Sequence, residues 1–257
     1  MYASPLRPAP QDIAHYRAEI AAWTRAHGVP RTLILGVTPE LHDLGWPAEA
    51  ELLALDASPD MIAQVWPGRP DQVRCADWRH ADLPPASRDL ILCDGGLILL
   101  DYPGGQHDLV RMAARTLTRG GLFLLRLYLP ASVPDDPEAV LSDLLAGKFG
   151  GSSAFRLRLF TAMQRTPEEG VALCDVYAAI HAVAPDPDEL ARRTDWPREH
   201  QRMIDVFRGN PARLHYPNAD GVRDMFCRDP GGFELQQLHF SDYEMGERCP
   251  LAVFRRL

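Results

Sequence analysis

Short apolar runs, each stopped by turn residues, alternate with amphipathic stretches along the first half of the chain. Thr32-Leu33-Ile34-Leu35 ends in Gly36-Val37-Thr38-Pro39-Glu40-Leu41, and Glu51-Leu52-Leu53-Ala54-Leu55 ends at Asp56. Val73-Arg74-Cys75-Ala76 is a third run, Asp89 to Asp94 a fourth stopped by Gly95-Gly96, and Leu122 to Tyr128 a fifth launched by Gly120-Gly121. Apolar runs this short, without polar alternation, read as strands buried on both faces of a parallel sheet. Between them lie helical patterns. Ile13, Tyr16, Ile20 and Trp23 share one face of 13–26, and Leu109, Met112, Ala113 and Leu117 share one face of 108–117. Ser58 and Pro59 supply a cap and a first-turn proline for a helix over 59–65. Strand and helix in alternation predict an α/β, doubly wound, Rossmann-like and mostly parallel sheet.

The pattern changes at Pro130. Segments 137–147, 152–164, 170–183 and 198–207 read as helices with no clear strand among them, too long a stretch for a connecting loop. Sheet-like pattern returns with a helix at 218–228, a strand at 233–240, a hairpin through Asp242 to Gly246 and a last strand at 250–255. The expected organisation is one domain over 1–257, with a seven-stranded sheet ending in an antiparallel hairpin. Within it, 1–29 is a loose tail (1–10) and a helix, 30–130 the core, 131–217 a helical insertion after the fifth strand, and 218–257 the closing helix and strands. The first helix is expected to pack on the sheet edge or to cover the site.

Composition narrows the function. Hydrophobic residues make up 46% and charged residues 24%, an ordinary soluble balance. The net charge of −8 provides no footprint for nucleic acid. No run approaches the roughly 18–20 apolar residues of a membrane span, and 1–10 lacks a signal-peptide core, so a cytoplasmic protein without membrane contact is expected. The five cysteines (75, 93, 174, 227, 249) form no CxxC pair, which fits reduced thiols. Lys148 is the only lysine, which excludes a Walker lysine and argues against Schiff-base chemistry. Neither GxSxG nor HExxH occurs. The spacing of Asp77, His80 and Asp82 matches no common metal site, so no metal is expected. Arg156 and Arg158, within Phe155 to Leu159, read as a helix face turned to solvent.

Asp56 stands 20 residues after Gly36, at the end of the second strand. In a doubly wound sheet that position sets a carboxylate beside a ribose, and an ionised carboxylate can take both of its hydroxyls. Taken in order, these segments resemble the class I S-adenosylmethionine-dependent methyltransferase family over 30–130 and 218–257. Leu33 to Gly36 matches the strand and first glycine of its first motif. Thr38 and Glu40 stand where the family has further glycines, and Ile34 replaces an acidic residue; Glu40 would return a negative charge near the methionine amino group. Asp56-Ala57-Ser58-Pro59-Asp60-Met61 is similar to the acidic-x-Ser-x-x-Met segment that holds the ribose. By the resemblance, Asp77 accepts from the adenine amino group, Trp78 packs on the ring, and Cys93-Asp94-Gly95 face the sulfonium.

The resemblance implies S-adenosylmethionine as cofactor and S-adenosylhomocysteine as product. It implies a cofactor site of Gly36, Val37, Thr38, Asp56, Ala57, Ser58, Met61, Asp77, Trp78, Cys93, Asp94 and Gly95. Asp94 is the candidate base, with Tyr102, His107, Arg126 and Tyr128 around a small-molecule acceptor; His239 and Tyr243 are further candidates. The insertion would form a lid that excludes water. Plainer roles stay open: Asp56 as a helix cap, Asp77 as a turn opener, Trp78 as core, Gly95-Gly96 as a strand stop. Two other functions also stay open. One is a sensor that binds the cofactor without catalysis; the other is a NAD-dependent oxidoreductase, against which the missing G-x-G-x-x-G counts.

Overall fold

The computed structural model describes residues 4–257, apart from the side chains of 198 and 201–203. In chain order the core elements are α1 (Pro10–His27), β1 (Arg31–Leu35), α2 (Pro39–His42), β2 (Glu51–Asp56), α3 (Pro59–Val65), β3 (Val73–Cys75), β4 (Arg88–Asp94), α4 (Gly104–Thr116) and β5 (Leu117–Arg126). The insertion holds α5 (Pro137–Leu145), α6 (Ser152–Met163), β6 (Val171–Ala172), α7 (Leu173–Val183), α8 (Pro187–Thr194), α9 (Arg198–Asp205) and β7 (Arg213–Leu214). The chain closes with α10 (Ala219–Cys227), β8 (Phe233–His239) and β9 (Leu251–Arg256).

The seven-stranded sheet runs β3-β2-β1-β4-β5-β9-β8. β1 to β5 are parallel, whereas β9 is antiparallel to β5 and β8 is antiparallel to β9. Leu35 pairs with Leu55 on one side and with Cys93 on the other, and Cys93 pairs with Leu125, so four strands end level. Strand order reverses between β1 and β4, successive strands being added on one side of β1 up to β3 and on the other from β4, and this is the switch point where such sheets open a crevice at their carboxyl ends.

Alternation along the strands fills both faces. Leu33, Leu35, Leu53, Leu55, Ile91, Cys93, Phe123 and Leu125 pack with α4 and α10. Ile34, Ala54, Leu90, Leu92, Leu122 and Leu124 pack with Tyr16, Ile20 and Trp23 of α1. Each large side chain so buried contributes about 1.5–3 kcal/mol. α1 therefore covers a sheet face, not the edge that its pattern suggested. The insertion has its own core of Val140, Leu144, Phe155, Leu159, Phe160, Val176 and Ile180.

Several boundaries depart from the pattern. α1 starts at Pro10, where Asp12 Oδ2 accepts from the Ala9 N–H at 2.8 Å. Residues 4–9 are packed and not loose, with Ala9 buried; residues 1–3 of the expected tail lie outside the described residues. Gly120 and Gly121 sit inside β5 and do not launch it. A Cβ on Gly121 would lie 2.7 Å from the Asp89 carbonyl, so the close strand approach requires glycine. The insertion contains the antiparallel pair β6–β7, too short to leave a period in the sequence. It also contains α8, whose Asp186 cap accepts from the Asp188 N–H at 2.9 Å and whose Pro187 opens the helix. Among the described residues no helix is long and apolar enough to cross a membrane.

Candidate active site

The level strand ends open into a cavity of about 390 Å³. Its floor comes from the turns after β1, β2 and β4, which contribute Gly36, Val37, Thr38, Asp56, Asp94 and Gly95. Gly36 has φ +92°, a left-handed conformation that favours glycine, and its N–H donates to the Leu55 carbonyl at 2.7 Å. Thr38 then starts α2, its carbonyl accepting from the Leu41 N–H at 3.0 Å.

Glu40 does not offer a free charge here. The Arg7 guanidinium donates to Glu40 Oε2 at 2.6 Å, and Leu6 and Arg7 form part of the cavity wall. The altered turn thus seats the N-terminal segment over the strand ends.

Asp56 combines the two roles left open for it. One carboxylate oxygen accepts from the Ser58 N–H at 2.8 Å, a local turn, yet the residue still lines the cavity. An ionised carboxylate has about four acceptor sites, so this bond leaves room for further donors. Ser58 caps α3 by accepting from the Met61 N–H at 3.2 Å, and neither it nor Ala57 reaches the cavity wall; Met61 does. Trp78 lines the cavity, its indole N–H donating to the Leu55 carbonyl at 2.7 Å. Asp77 is off the wall because Arg79 engages it through backbone and guanidinium, which hold its carboxyl below the ordinary range. Among the described residues no three His, Cys, Asp or Glu converge as metal ligands.

At the β4 end a buried charge cluster forms. Arg126, 0% exposed, donates from Nε to Asp94, from Nη1 to the Pro5 carbonyl at 2.8 Å and to Tyr243 Oη at 3.1 Å, and from Nη2 to Tyr128 Oη at 3.0 Å. A second carboxylate, Asp12, lies 3.7 Å from Nη1 and accepts from Ser241 and Tyr243. Burial pushes Asp94 above the ordinary carboxylate range and the Asp12 and Glu40 charges add to that, with Arg126 opposing. Two carboxylates share one guanidinium, so with both ionised the cluster is net negative.

Other candidates fall elsewhere. Tyr102 packs against the core under α4, and His107 lies on α4, both away from the cavity. The turn Gly96–Leu99 swings the chain aside before either is reached. Cys93 is buried, its carbonyl accepts from Tyr16 Oη at 3.0 Å, and burial pushes its thiol up to about 12. His239 pairs with Glu19 of α1 at 2.7 Å and is off the cavity wall. Tyr128 does line the cavity. Gly95, at φ +64°, is needed for that ring: a Cβ there would lie 2.2 Å from Tyr128 Cε2.

Val65, Gly96, Ile98 and Leu99 add to the core side of the wall, and the opposite side comes from the insertion: Arg156, Leu157 and Phe160 of α6, Leu173 of α7, Phe207, Leu214 of β7, and Tyr216. Arg156 does not face solvent; it is 1% exposed. α6 is buried nearly all round, so its pattern carried no polar face to read. Gln106, fully buried, fixes this wall to the strand ends by donating to the Leu97 and His215 carbonyls, each at 3.1 Å.

In a dinucleotide-binding doubly wound sheet the order 3-2-1-4-5-6 is parallel throughout. Here β9 lies antiparallel between β5 and β8. The chain has the class I methyltransferase fold. Similar solved structures include the CcbJ methyltransferase from Streptomyces caelestis, 16% identical over 100% of this chain and 93% of that one, with a TM-score of 0.54. The N-methyltransferase NodS from Bradyrhizobium japonicum WM9, in complex with S-adenosylhomocysteine, is 11% identical over 98% and 91%, with a TM-score of 0.51. A candidate Zn-dependent alcohol dehydrogenase from Rhodobacter sphaeroides is 12% identical over 98% and 92%, with a TM-score of 0.60. At such identities the likeness is one of fold. No family model and no curated protein sequence matches the chain.

Proposed function

We propose that the protein is an S-adenosylmethionine-dependent methyltransferase acting on a small molecule held between the strand ends and the insertion. One observation carries this reading: the floor of the cavity presents Asp56 and Asp94, with Arg126 and Asp12 buried behind Asp94, so that with the three carboxylates ionised negative charge is in surplus at the sheet's switch point. Such a floor suits a cationic sulfonium and repels the pyrophosphate of a dinucleotide, which binds where positive helix ends and free N–H groups gather.

The residues fit the cofactor in parts. Asp56 would take the ribose hydroxyls, Trp78 would offer an apolar plane for the adenine, and the Gly36 to Thr38 turn and Gly95 would edge the methionine portion. When bound, the sulfonium would supply an electrophilic methyl carbon to the acceptor's lone pair, with the neutral thioether of S-adenosylhomocysteine as leaving group. The protein's own part is position, worth up to about 7–11 kcal/mol when both reactants are held in line. Asp94 anchors Arg126, and through it the N-terminal wall and the Tyr128 ring. Burial holds the Tyr128 and Tyr216 hydroxyls protonated. Among the described residues no histidine, lysine or cysteine lines the cavity, so the walls favour an acceptor that brings its own free lone pair. The insertion excludes water above it.

Calorimetric titration with S-adenosylhomocysteine and, separately, NAD tests the reading. Micromolar binding of the first and none of the second is expected; NAD binding alone would replace the methyltransferase with an oxidoreductase.

A further inference from the structure

Asp12 lies behind the cavity floor, 1% exposed and off the wall. It accepts from the Ala9 N–H at 2.8 Å, the Ser241 hydroxyl at 2.6 Å and the Tyr243 hydroxyl at 2.9 Å. The direction of the last bond is fixed. Tyr243 Oη accepts from Arg126 Nη1 at 3.1 Å, which leaves its own proton for Asp12. Three donors converge on the carboxyl, the set that an ionised carboxylate takes. Starting α1 requires only the bond to Ala9; the other two, with Arg126 at 3.7 Å, tie Asp12 to the buried charge cluster.

The charge of that cluster can be counted. Asp94 and Asp12 are its carboxylates, Arg126 is the cation they share, and Arg7 nearby is taken by Glu40. Tyr16, Cys93, Tyr128, Tyr243 and Cys249 also pack on the pair, and burial pushes all five up, the two thiols to about 12, so they stay neutral. With both carboxylates ionised against one guanidinium the cluster is net negative, and Asp12 makes it so: without Asp12, Arg126 and Asp94 cancel. Arg126 occupies only Oδ1 of Asp94. Among the described residues no hydrogen bond reaches Asp94 Oδ2, and the residue lines the cavity. In surroundings of low polarity a net charge acts beyond its contacts. A cation in the cavity is thus favoured over a neutral ligand of the same frame.

We propose that Asp12 lets the cavity tell the cofactor from its own product, favouring the sulfonium of S-adenosylmethionine over the neutral thioether of S-adenosylhomocysteine, so that methyl transfer weakens the hold on what remains. This rests on the methyltransferase reading. Asp12 touches no ligand; it determines specificity through Arg126 and Asp94.

The test is calorimetric titration of the full-length protein at pH 7.5 with S-adenosylmethionine, S-adenosylhomocysteine and sinefungin, in which an ammonium takes the place of the sulfonium. The wild type is expected to bind both cations about fivefold or more tightly than S-adenosylhomocysteine. Asp12→Asn keeps the shape and removes the charge, and should bring the three affinities within about twofold of one another. The ratio is the readout because a merely structural loss weakens all three alike, and because the field of Arg156 from the opposite wall is common to protein and variant. Should Asp12→Asn not fold, Asp94→Asn removes the same charge from the cluster and is expected to erase the preference too. Equal affinities in the wild type, or tighter binding of S-adenosylhomocysteine, would overturn the proposal with no variant needed; so would a preference that survives in either folded variant. Binding of none of the three would remove the methyltransferase reading itself, whereas three equal affinities would leave that reading standing.

Discussion

The two halves of the cavity are held by different forces. The strand-end half is fixed by ladder hydrogen bonds in register and by a buried ion cluster that ties α1, β4, β5 and the N-terminal segment together. The insertion half is side-chain packing, tied to the sheet by a few bonds through Gln106 and through the His215 N–H on the Ile98 carbonyl at 2.9 Å. Backbone ladders and buried ions tolerate little change; apolar packing adapts while volume and pattern are kept. One half is therefore suited to a constant cofactor and the other to acceptors that differ between proteins of one fold.

Substitutions sharpen the contrast. The largest effect is expected at Arg126. Arg126→Met leaves Asp94 and Asp12 buried without their cation and should cost about 3–5 kcal/mol in urea unfolding at pH 7. Asp94, which burial already raises, would lose the opposing Arg126 charge and hold its proton still more tightly when folded. The loss should accordingly shrink as pH falls and Asp94 protonates; a loss that grows toward acid would contradict the cluster's role.

Next comes Asp135, which holds α6 to the turn before β9. Its carboxylate accepts from Arg158 at 3.0 Å, while Arg248 lies 2.8 Å away at an angle too poor for a hydrogen bond, a Coulombic contact. Both arginines outweigh burial and hold Asp135 below the ordinary carboxylate range. A depressed folded value stabilises the protein above the unfolded pKa of about 3.9, and that stabilisation is lost as pH falls through the folded value. Asp135→Asn should cost about 1.5–3 kcal/mol at pH 7 and progressively less as pH falls below the unfolded pKa, read from paired denaturation curves. A deficit that does not shrink toward acid would show that the carboxylate charge is not what matters.

The smallest effect is expected at Glu40. Its bond to Arg7 joins side chains 29% and 22% exposed, so Glu40→Gln should change stability by about 1 kcal/mol or less. If the N-terminal wall needs that bond to stay in place, affinity for S-adenosylhomocysteine falls by no more than about fivefold. A far larger loss would make the wall the dominant cofactor contact.

The same division marks what the sequence could disclose. β1, β2 and β4 were legible because buried parallel strands leave unbroken apolar runs ending in turn residues, and Gly36, Asp56 and Asp94 came with them. Leu6, Arg7 and Arg156 were not, because their place on the cavity depends on contacts far along the chain, such as Arg7 with Glu40. Tyr102 and His107 were misplaced by assuming that whatever follows a strand faces its crevice. Arg156 and Arg158 looked alike in the sequence; only the packing of α6 separates the arginine that clamps from the one that lines the cavity.

The most direct test of the two-part cavity is calorimetric titration of wild type, Asp56→Ala and Arg156→Gln with S-adenosylhomocysteine, each shown to be folded by its melting curve. Loss of hydrogen bonds to a charged group predicts about tenfold or greater weakening in Asp56→Ala, about 1.5–3 kcal/mol, with Arg156→Gln binding as the wild type does. Equal binding by all three, or weakening in Arg156→Gln alone, would contradict the assignment of the strand-end half to the cofactor.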